Sequence, residues 1–322
     1  MKLIKHILIF LFFSFQLSAQ TFQLQKELIF GGTKSDQLID VLKISNSNDL
    51  LVAGISNSND GDLATLNPTN VSGIVLFRTD SVFNIKWKVF IPDFVSCSGI
   101  AQVNSNSIAI LCTKSTFRNS TVFSCSISNG IINNSTILPD VQPDYIHGIS
   151  QPRISFSNGT LVAALNYDEE IDNYKKNIAL YGFDVGFNLV WSNKIRGSAD
   201  DDLHKIFTFS NRIHVWVNAY SYNFDFENKK TKTNESRQKE IWLLEFDLTN
   251  GEIINRKSFG NNATDYIIDA EICSDGYYLL LTITGSGGDF TVKTSASSDN
   301  VICKIDFNGN IIWQKNTGST SY

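Results

Sequence analysis

Three aspartates share one setting. Each follows a glycine by four or five residues: Gly32 to Asp36, Gly197 to Asp201 and Gly260 to Asp265. Were these segments arranged around a ring, the carboxylates would converge near its centre and bind a cation or sugar hydroxyls. The plainer reading is that each carboxylate caps its own loop, because aspartate readily bonds nearby backbone amides. Asp200, Asp201 and Asp202 form the densest acidic cluster. A second group is aromatic: Trp216, Tyr220, Tyr222, Phe224 and Phe226 share strand parity, and the last three run past the expected end of their strand. Such a stripe would stack sugar rings or grip a partner, with Tyr220 and Tyr222 as the candidate contacts. Packing between sheets is the competing use, since large aromatics are mostly buried.

Catalytic patterns are missing from the sequence. His147, His204 and His214 have neither metal-ligand spacing nor a nucleophile motif beside them, and His6 lies in the N-terminal apolar segment. Glu169-Glu170 is a common surface pair, whereas glycosidase chemistry needs two carboxyls at a defined separation. Asn57 to Asp62 contains acidic ligands but does not keep the alternate-oxygen spacing and glycine placement of a calcium loop. No metal, cofactor or catalytic residue is therefore expected.

The elements that would carry these residues recur. Five times an apolar strand meets a polar turn and then a strongly apolar strand. The turns are Ser47-Asn48, Ser105-Asn106, Ser157-Asn158-Gly159, Ser210-Asn211 and Ser274-Asp275-Gly276, about 52 to 64 residues apart. Asn, Asp and Gly tolerate the left-handed backbone of tight hairpins. Runs such as Leu161-Val162-Ala163-Ala164 are apolar on both faces and read as strands packed between sheets. A polar loop then leads to a third strand ending in aspartate, as at Asp80, Asp247 and Asp306, and to a fourth that alternates, as in Ile85-Lys86-Trp87-Lys88-Val89. The fold expected is an all-β propeller of about five four-stranded blades, roughly 33–90, 91–137, 138–194, 195–257 and 258–316. A solenoid of stacked hairpins is the architectural alternative.

Ile305-Asp306-Phe307-Asn308-Gly309-Asn310-Ile311-Ile312-Trp313, and Asp184 through Trp191, resemble the Asp-x-x-Gly-x-x-x-Trp signature of quinoprotein-like propeller blades. The wider pattern is similar to the repeats of exported, largely uncharacterised bacterial surface propellers. The second unit departs from it, lacking both the tryptophan and the turn aspartate. The resemblance implies a blade and no particular chemistry.

Composition sets the compartment. Lys2 and Lys5, the apolar run Ile7 to Phe15 and the small residues Ser18 and Ala19 read as a signal peptide over residues 1–19, with the propeller spanning 20–322. Without those lysines, 27 basic residues become 25 against 32 acidic ones, so the balance moves from −5 to −7. That argues against nucleic acid, whose phosphates demand a basic face. No later segment is apolar enough to cross a membrane, and a secreted product is expected. The five cysteines match no disulfide framework. Buried free thiols are the expected state, and one bridge among Cys97, Cys112 and Cys125 is the alternative.

Leu24 to Gly32 aligns with Trp313 to Gly318 as a fourth strand without its first three, and Ser319 to Tyr322 fall where another unit would begin. The ring is thus expected to be open, or the sequence truncated, with truncation favoured. Long polar segments at Asn57–Asn70, Asn166–Lys176, Ser221–Lys239 and Thr284–Asp299 belong on one rim. Function is expected there, in a non-enzymatic binding or scaffold module for a glycan or protein. The alternatives are a hydrolase or quinone-dependent dehydrogenase using the aspartates, and a fragment of a larger multidomain surface protein.

Overall fold

The structure is a computed structural model that describes residues 27–114, 120–139, 142–143, 153–168, 176–227, 238–285, 287–292 and 298–317. The expected signal segment, His147, Glu169, Glu170 and residues 318–322 lie outside these. Strands dominate from the first residues of each unit, where β-branched and aromatic side chains alternate or run together.

The first sheet holds β1 (Asp36–Lys43), β2 (Leu50–Ser56), β3 (Gly73–Thr79) and β4 (Ile85–Pro92). The second holds β5 (Phe94–Gln102), β6 (Ser107–Lys114), β7 (Ser120–Ser126) and β8 (Ile132–Ile137). After the short β9 (Gln142–Pro143), the third holds β10 (Arg153–Ser157), β11 (Thr160–Asp168), β12 (Lys176–Phe183) and β13 (Leu189–Ile195). The fourth holds β14 (Asp201–Phe209), β15 (Arg212–Ala219), β16 (Glu240–Asp247) and β17 (Ile253–Phe259). The fifth holds β18 (Asp265–Cys273), β19 (Gly276–Ile283), β20 (Asp299–Asp306) and β21 (Ile311–Asn316). Every sheet is an antiparallel meander in chain order, with β9 added to the far end of β11.

Contacts between sheets concentrate on the first strands, β1 with β5, β5 with β10, β10 with β14 and β14 with β18. First strands gathered around one axis, with outer strands fanning away, make a propeller and not a solenoid. The core is layered between blades. One apolar cluster joins the first and second sheets, others join the second to the third, the third to the fourth and the fourth to the fifth. Among the described residues no such cluster joins the fifth sheet to the first. Glu27 to Phe30, the described end of the run expected as a fourth strand, joins no ladder. Phe30 instead stacks on Phe77 of β3, ring centroids 4.4 Å apart.

The hairpins form as their residues dictate. Asp80 accepts the amides of Val82 and Asn84, Asp184 those of Gly186 and Asn188, and Asp247 that of Thr249. These bonds, with side-chain bonds from Asn84, Asn188 and Thr249, hold the three carboxyls below the usual carboxylate range. In the second unit, which has serine at that place, the turn is carried by a Ser126–Ser128 hydroxyl contact of 2.9 Å and by Gly130 at φ 76°.

The five cysteines are free thiols. Cys97 faces Cys112 across the β5–β6 ladder, yet both sit in the apolar layer with Cys125. Burial pushes the Cys97 thiol up to about 12 and Cys125 up to about 11. Only Cys273 is partly exposed. A thiol reagent should therefore label about one cysteine per native chain and five after denaturation. A native count of about one with only three after denaturation would instead reveal a bridge.

Candidate functional site

One rim carries both the loops between second and third strands and the connections from each sheet to the next. Hydrogen bonds tie the two sets together. In the first sheet Thr33 N donates to Asp60 Oδ1 at 2.8 Å and Lys34 N to Ser58 Oγ at 3.0 Å. In the fourth, Arg196 N donates to Asp225 Oδ2 at 2.9 Å, and in the fifth Gly260 N to Asp289 Oδ2 at 3.1 Å.

The three rim aspartates begin the first strands and turn into these loops. Asp265 accepts Asn261 N at 2.6 Å and Thr284 N at 3.0 Å. Asp201 accepts Ser221 N at 3.1 Å and Ser221 Oγ at 2.7 Å. Asp36 accepts Gly32 N at 2.8 Å and Ser58 Oγ at 3.1 Å, and also bonds Ser56 Oγ. Asp201 and Asp265 are fully buried. Burial raises the Asp201 carboxyl to about 8 and that of Asp265 to about 6, against the pull of their hydrogen bonds. Each carboxylate thus clasps its own loop, and the described residues hold no group of three or more metal-ligating side chains. The neighbours of Asp201 are spent likewise: Asp202 pairs with Lys239 at 2.6 Å and Lys176 at 3.4 Å, and Asp200 accepts Lys176 N.

The aromatic series divides along its length. Trp216, on β15, is buried between the fourth and fifth sheets, and Phe226 is buried edge-to-face on Trp242, 5.5 Å between centroids. Tyr220 lies half-buried beneath Lys239, whose Nζ is 4.9 Å from the ring centroid. Tyr222 and Phe224 stand out from the rim, 39% and 65% exposed. Phe226 anchors this loop from one side, and Asp225 from the other through Arg196 and a 3.2 Å bond from Arg256. Phe224 takes φ 54°, a left-handed conformation that costs a bulky residue energy. Phe83 and Phe187 take the same conformation in hairpin turns, and Phe187 is buried, so it is the exposure of the Phe224 ring that sets this loop apart. Between the two rings, Asn223 Oδ1 is shielded from solvent without a hydrogen-bond donor.

A further set of charged groups escaped the sequence reading. The first strands bulge at Leu38/Asp40, Leu203/Lys205 and Ile267/Asp269. The bulges turn Asp40, Lys205 and Asp269 toward neighbouring first strands. Asp40 Oδ2 accepts Ile100 N at 2.8 Å, and Lys205 Nζ reaches Asp269 at 3.3 Å and Glu271 at 2.5 Å. Arg153 of β10 donates Nε to His204 O at 2.6 Å and feels the charge of both Asp40 and Asp269, from the first and fifth sheets. Charges from non-adjacent sheets meet there, as expected at the axis of a ring. The signal was available: in the first, fourth and fifth units a charged residue stands four places after the rim aspartate, at Asp40, Lys205 and Asp269.

No family model matches the chain, and no curated protein matches it in sequence. Solved propeller structures do. Hydrazine synthase from Kuenenia stuttgartiensis superposes with a TM-score of 0.51 at 11% identity, over 90% of this chain and 68% of that one. A subtype N10 neuraminidase-like protein of A/little yellow-shouldered bat/Guatemala/060/2010 gives 0.44 at 10% identity, over 84% of this chain and 78% of that one. Cobalt-substituted ACO from Synechocystis gives 0.47 at 9% identity, covering 87% of this chain, which spans 61% of that enzyme. At these identities the likeness concerns the fold alone. Among the described residues no helix is long and apolar enough to cross a membrane.

Proposed function

We propose that the chain is an exported, non-enzymatic binding module that engages a glycan or a protein through its long-loop rim, with Tyr220, Tyr222 and Phe224 as contacts. The observation that carries this reading is the display of Tyr222 and Phe224. Two large rings stand partly in solvent on a loop pinned by Phe226 and Asp225. Aromatic side chains supply large contact area at low entropic cost, and ring faces stack on sugars. Export rests on the N-terminal pattern of Lys2, Lys5 and the apolar run, and fits the family resemblance of the blades.

The enzymatic alternative draws no support from the rim aspartates, because their oxygens are occupied by Ser221, Asn261, Thr284 and Gly32. The test is a glycan array and a panel of purified surface polysaccharides probed with the chain starting at Gln20. Saturable binding to a defined glycan class is expected. Blank arrays at high protein concentration, together with turnover in a hydrolase substrate screen, would overturn the proposal.

A further inference from the structure

Every sheet ends outward in a fourth strand, and these strands differ in charge. β4 carries Lys86 and Lys88, β13 Lys194, β17 Arg256 and Lys257, and β21 Lys315. β8, which reads Ile132-Asn133-Asn134-Ser135-Thr136-Ile137, carries no charge. An outer strand offers a row of unpaired peptide groups to any other strand, and lysine on the edge is the usual deterrent, because pairing then brings like charges together. β8 lacks that deterrent. Apolar side chains also stand in solvent at both of its ends, Ile131 58% and Ile137 61% exposed.

The phase of β8 determines which groups it offers. Leu138 N donates inward to Ser120 O at 2.9 Å, and the ladder sets Ile137 opposite Thr121, Thr136 opposite Val122 and Ser135 opposite Phe123. Peptide groups alternate in direction along a strand, so those of Thr136 point inward with Leu138 and those of Ser135 and Ile137 point outward. Among the described residues no strand pairs with that outer side. Ser135 N donates instead to the preceding side chain, Asn134 Oδ1, at 2.8 Å. Lys194 N and Arg256 N are capped in the same way by Asn193 and Asn255, and there the capped residue is itself a cation. β8 is also fixed from one face. Asn134 Nδ2 donates to Gly186 O at 3.3 Å and Thr136 Oγ1 to Phe187 O at 3.1 Å, which seats the strand on the hairpin of the third sheet and leaves its edge clear.

The strand is complementary to itself in one register. Paired antiparallel about a two-fold axis at Thr136, the outward Ser135 of each copy meets the outward Ile137 of the other, and Thr136 meets its own mate. With the axis one residue further along, Ser135 would face Pro139, which has no N–H. With the axis one residue earlier, Ile137 would face Asn133, where the ladder with β7 is broken by a bulge.

We propose that two copies of this chain join edge to edge through β8, antiparallel about Thr136, so that their second sheets form one continuous sheet. Neither copy brings a charge to the seam, whereas the same pairing of β4 or β17 would bring lysine or arginine from both. The paired strands run in opposite directions, and each leads toward the long-loop rim of its own copy. The two rims therefore open to opposite sides. The contact is small against the roughly 1,200 Å² of a stable interface, so weak association is expected, with a dissociation constant of about 10 to 100 µM.

Sedimentation velocity tests this on the chain starting at Gln20, with two double variants, Ser135→Lys/Ile137→Lys and Ser135→Glu/Ile137→Glu. Both residues are exposed, so the urea midpoints of the variants should match that of the wild type. At about 200 µM at least half of the wild type should be dimeric, each variant alone should be monomeric, and an equimolar mixture of the two variants should regain the dimer. A wild type that stays monomeric at that concentration, a single variant that dimerises as the wild type does, or a mixture that stays monomeric would each overturn the inference.

Discussion

Tyr277→Ala should lower the stability of the chain by about 4 kcal/mol, whereas Tyr278→Ala, one residue along the same strand, should cost about 1 kcal/mol or less. The contrast follows from the two faces of β19. Tyr277 is fully buried in the layer between the fourth and fifth sheets, its ring centroid 5.4 Å from each of Phe207, Trp216 and Phe307. Its hydroxyl is 2.6 Å from His214 Nδ1. Burial holds the phenol protonated and lowers His214 to about 4, so the phenol donates, Nδ1 accepts and the imidazole proton sits on Nε2. Alanine removes the ring contacts, leaves a cavity and strands a buried acceptor. Tyr277→Phe separates these effects, and its cost should fall between about 1 and 3 kcal/mol. Tyr278 points to the other face, against Trp313 at 6.0 Å and in solvent. Urea unfolding monitored by tryptophan fluorescence checks the pair. A midpoint about 1 M lower for Tyr277→Ala is expected, and equal midpoints for Tyr277→Ala and Tyr278→Ala would show that the faces are assigned wrongly.

Stability should also fall as pH rises from 6.5 to 8, by about 2 kcal/mol, and Asp201→Asn should abolish that fall. The Asp201 carboxyl, raised to about 8 by burial, keeps its proton in the folded chain long after the unfolded chain has lost it. Such a group stabilises fully below the unfolded value of 3.8, and that stabilisation is lost as pH climbs to 8. Asp265, raised to about 6, acts in the same direction over a narrower range. His204 and His214 act oppositely. Burial lowers both to about 4, so they stabilise above 6.5 and lose that contribution as pH drops toward 4. Between pH 4 and 6 the two aspartates and two histidines nearly cancel. Above 6.5 Asp201 stands alone, which sets the slope at about 1.4 kcal/mol per pH unit. Asparagine keeps an oxygen acceptor for Ser221 N in a side chain of the same shape and removes the titrating group. Urea midpoints at half-unit steps from pH 4 to 9 measure the profile. A flat wild-type profile above 6.5, or an unchanged slope in Asp201→Asn, would show that Asp201 is ionised in the fold.

Much of the fold was legible because the chain repeats its punctuation. Asp80, Asp184, Asp247 and Asp306 hold the hairpins that their positions foretold, and the doubly apolar second strands lie between sheets as their patterning required. The first strands were harder to read. A bulge inserts one residue and reverses the facing of those beyond it, so simple alternation places Asp40, Lys205 and Asp269 on the wrong side. The axial charges were hidden for that reason. The rim aspartates were found, but a sequence cannot distinguish a carboxylate aimed at a ligand from one that bonds an amide four residues away or a serine twenty residues away, as at Asp265 and Asp201. Within the aromatic series, parity alone could not tell buried Trp216 and Phe226 from exposed Tyr222 and Phe224, because the short turn Phe224–Phe226 breaks the strand period. Trp313 offers a similar lesson. Its signature matches Trp191, yet Trp313 is 42% exposed where Trp191 is buried against the next sheet, a difference that the local motif does not carry.

The reading of this propeller as a binding module stands most directly on the displayed pair of rings. The decisive measurement compares the wild-type chain with Tyr222→Ala/Phe224→Ala on whichever array glycan or purified polysaccharide the wild type binds. Affinity should drop at least tenfold, since each lost stacking contact is worth about 1 kcal/mol or more, while the urea midpoint stays within experimental error because both rings are exposed. Full affinity in the double variant would contradict the account and move recognition away from this loop.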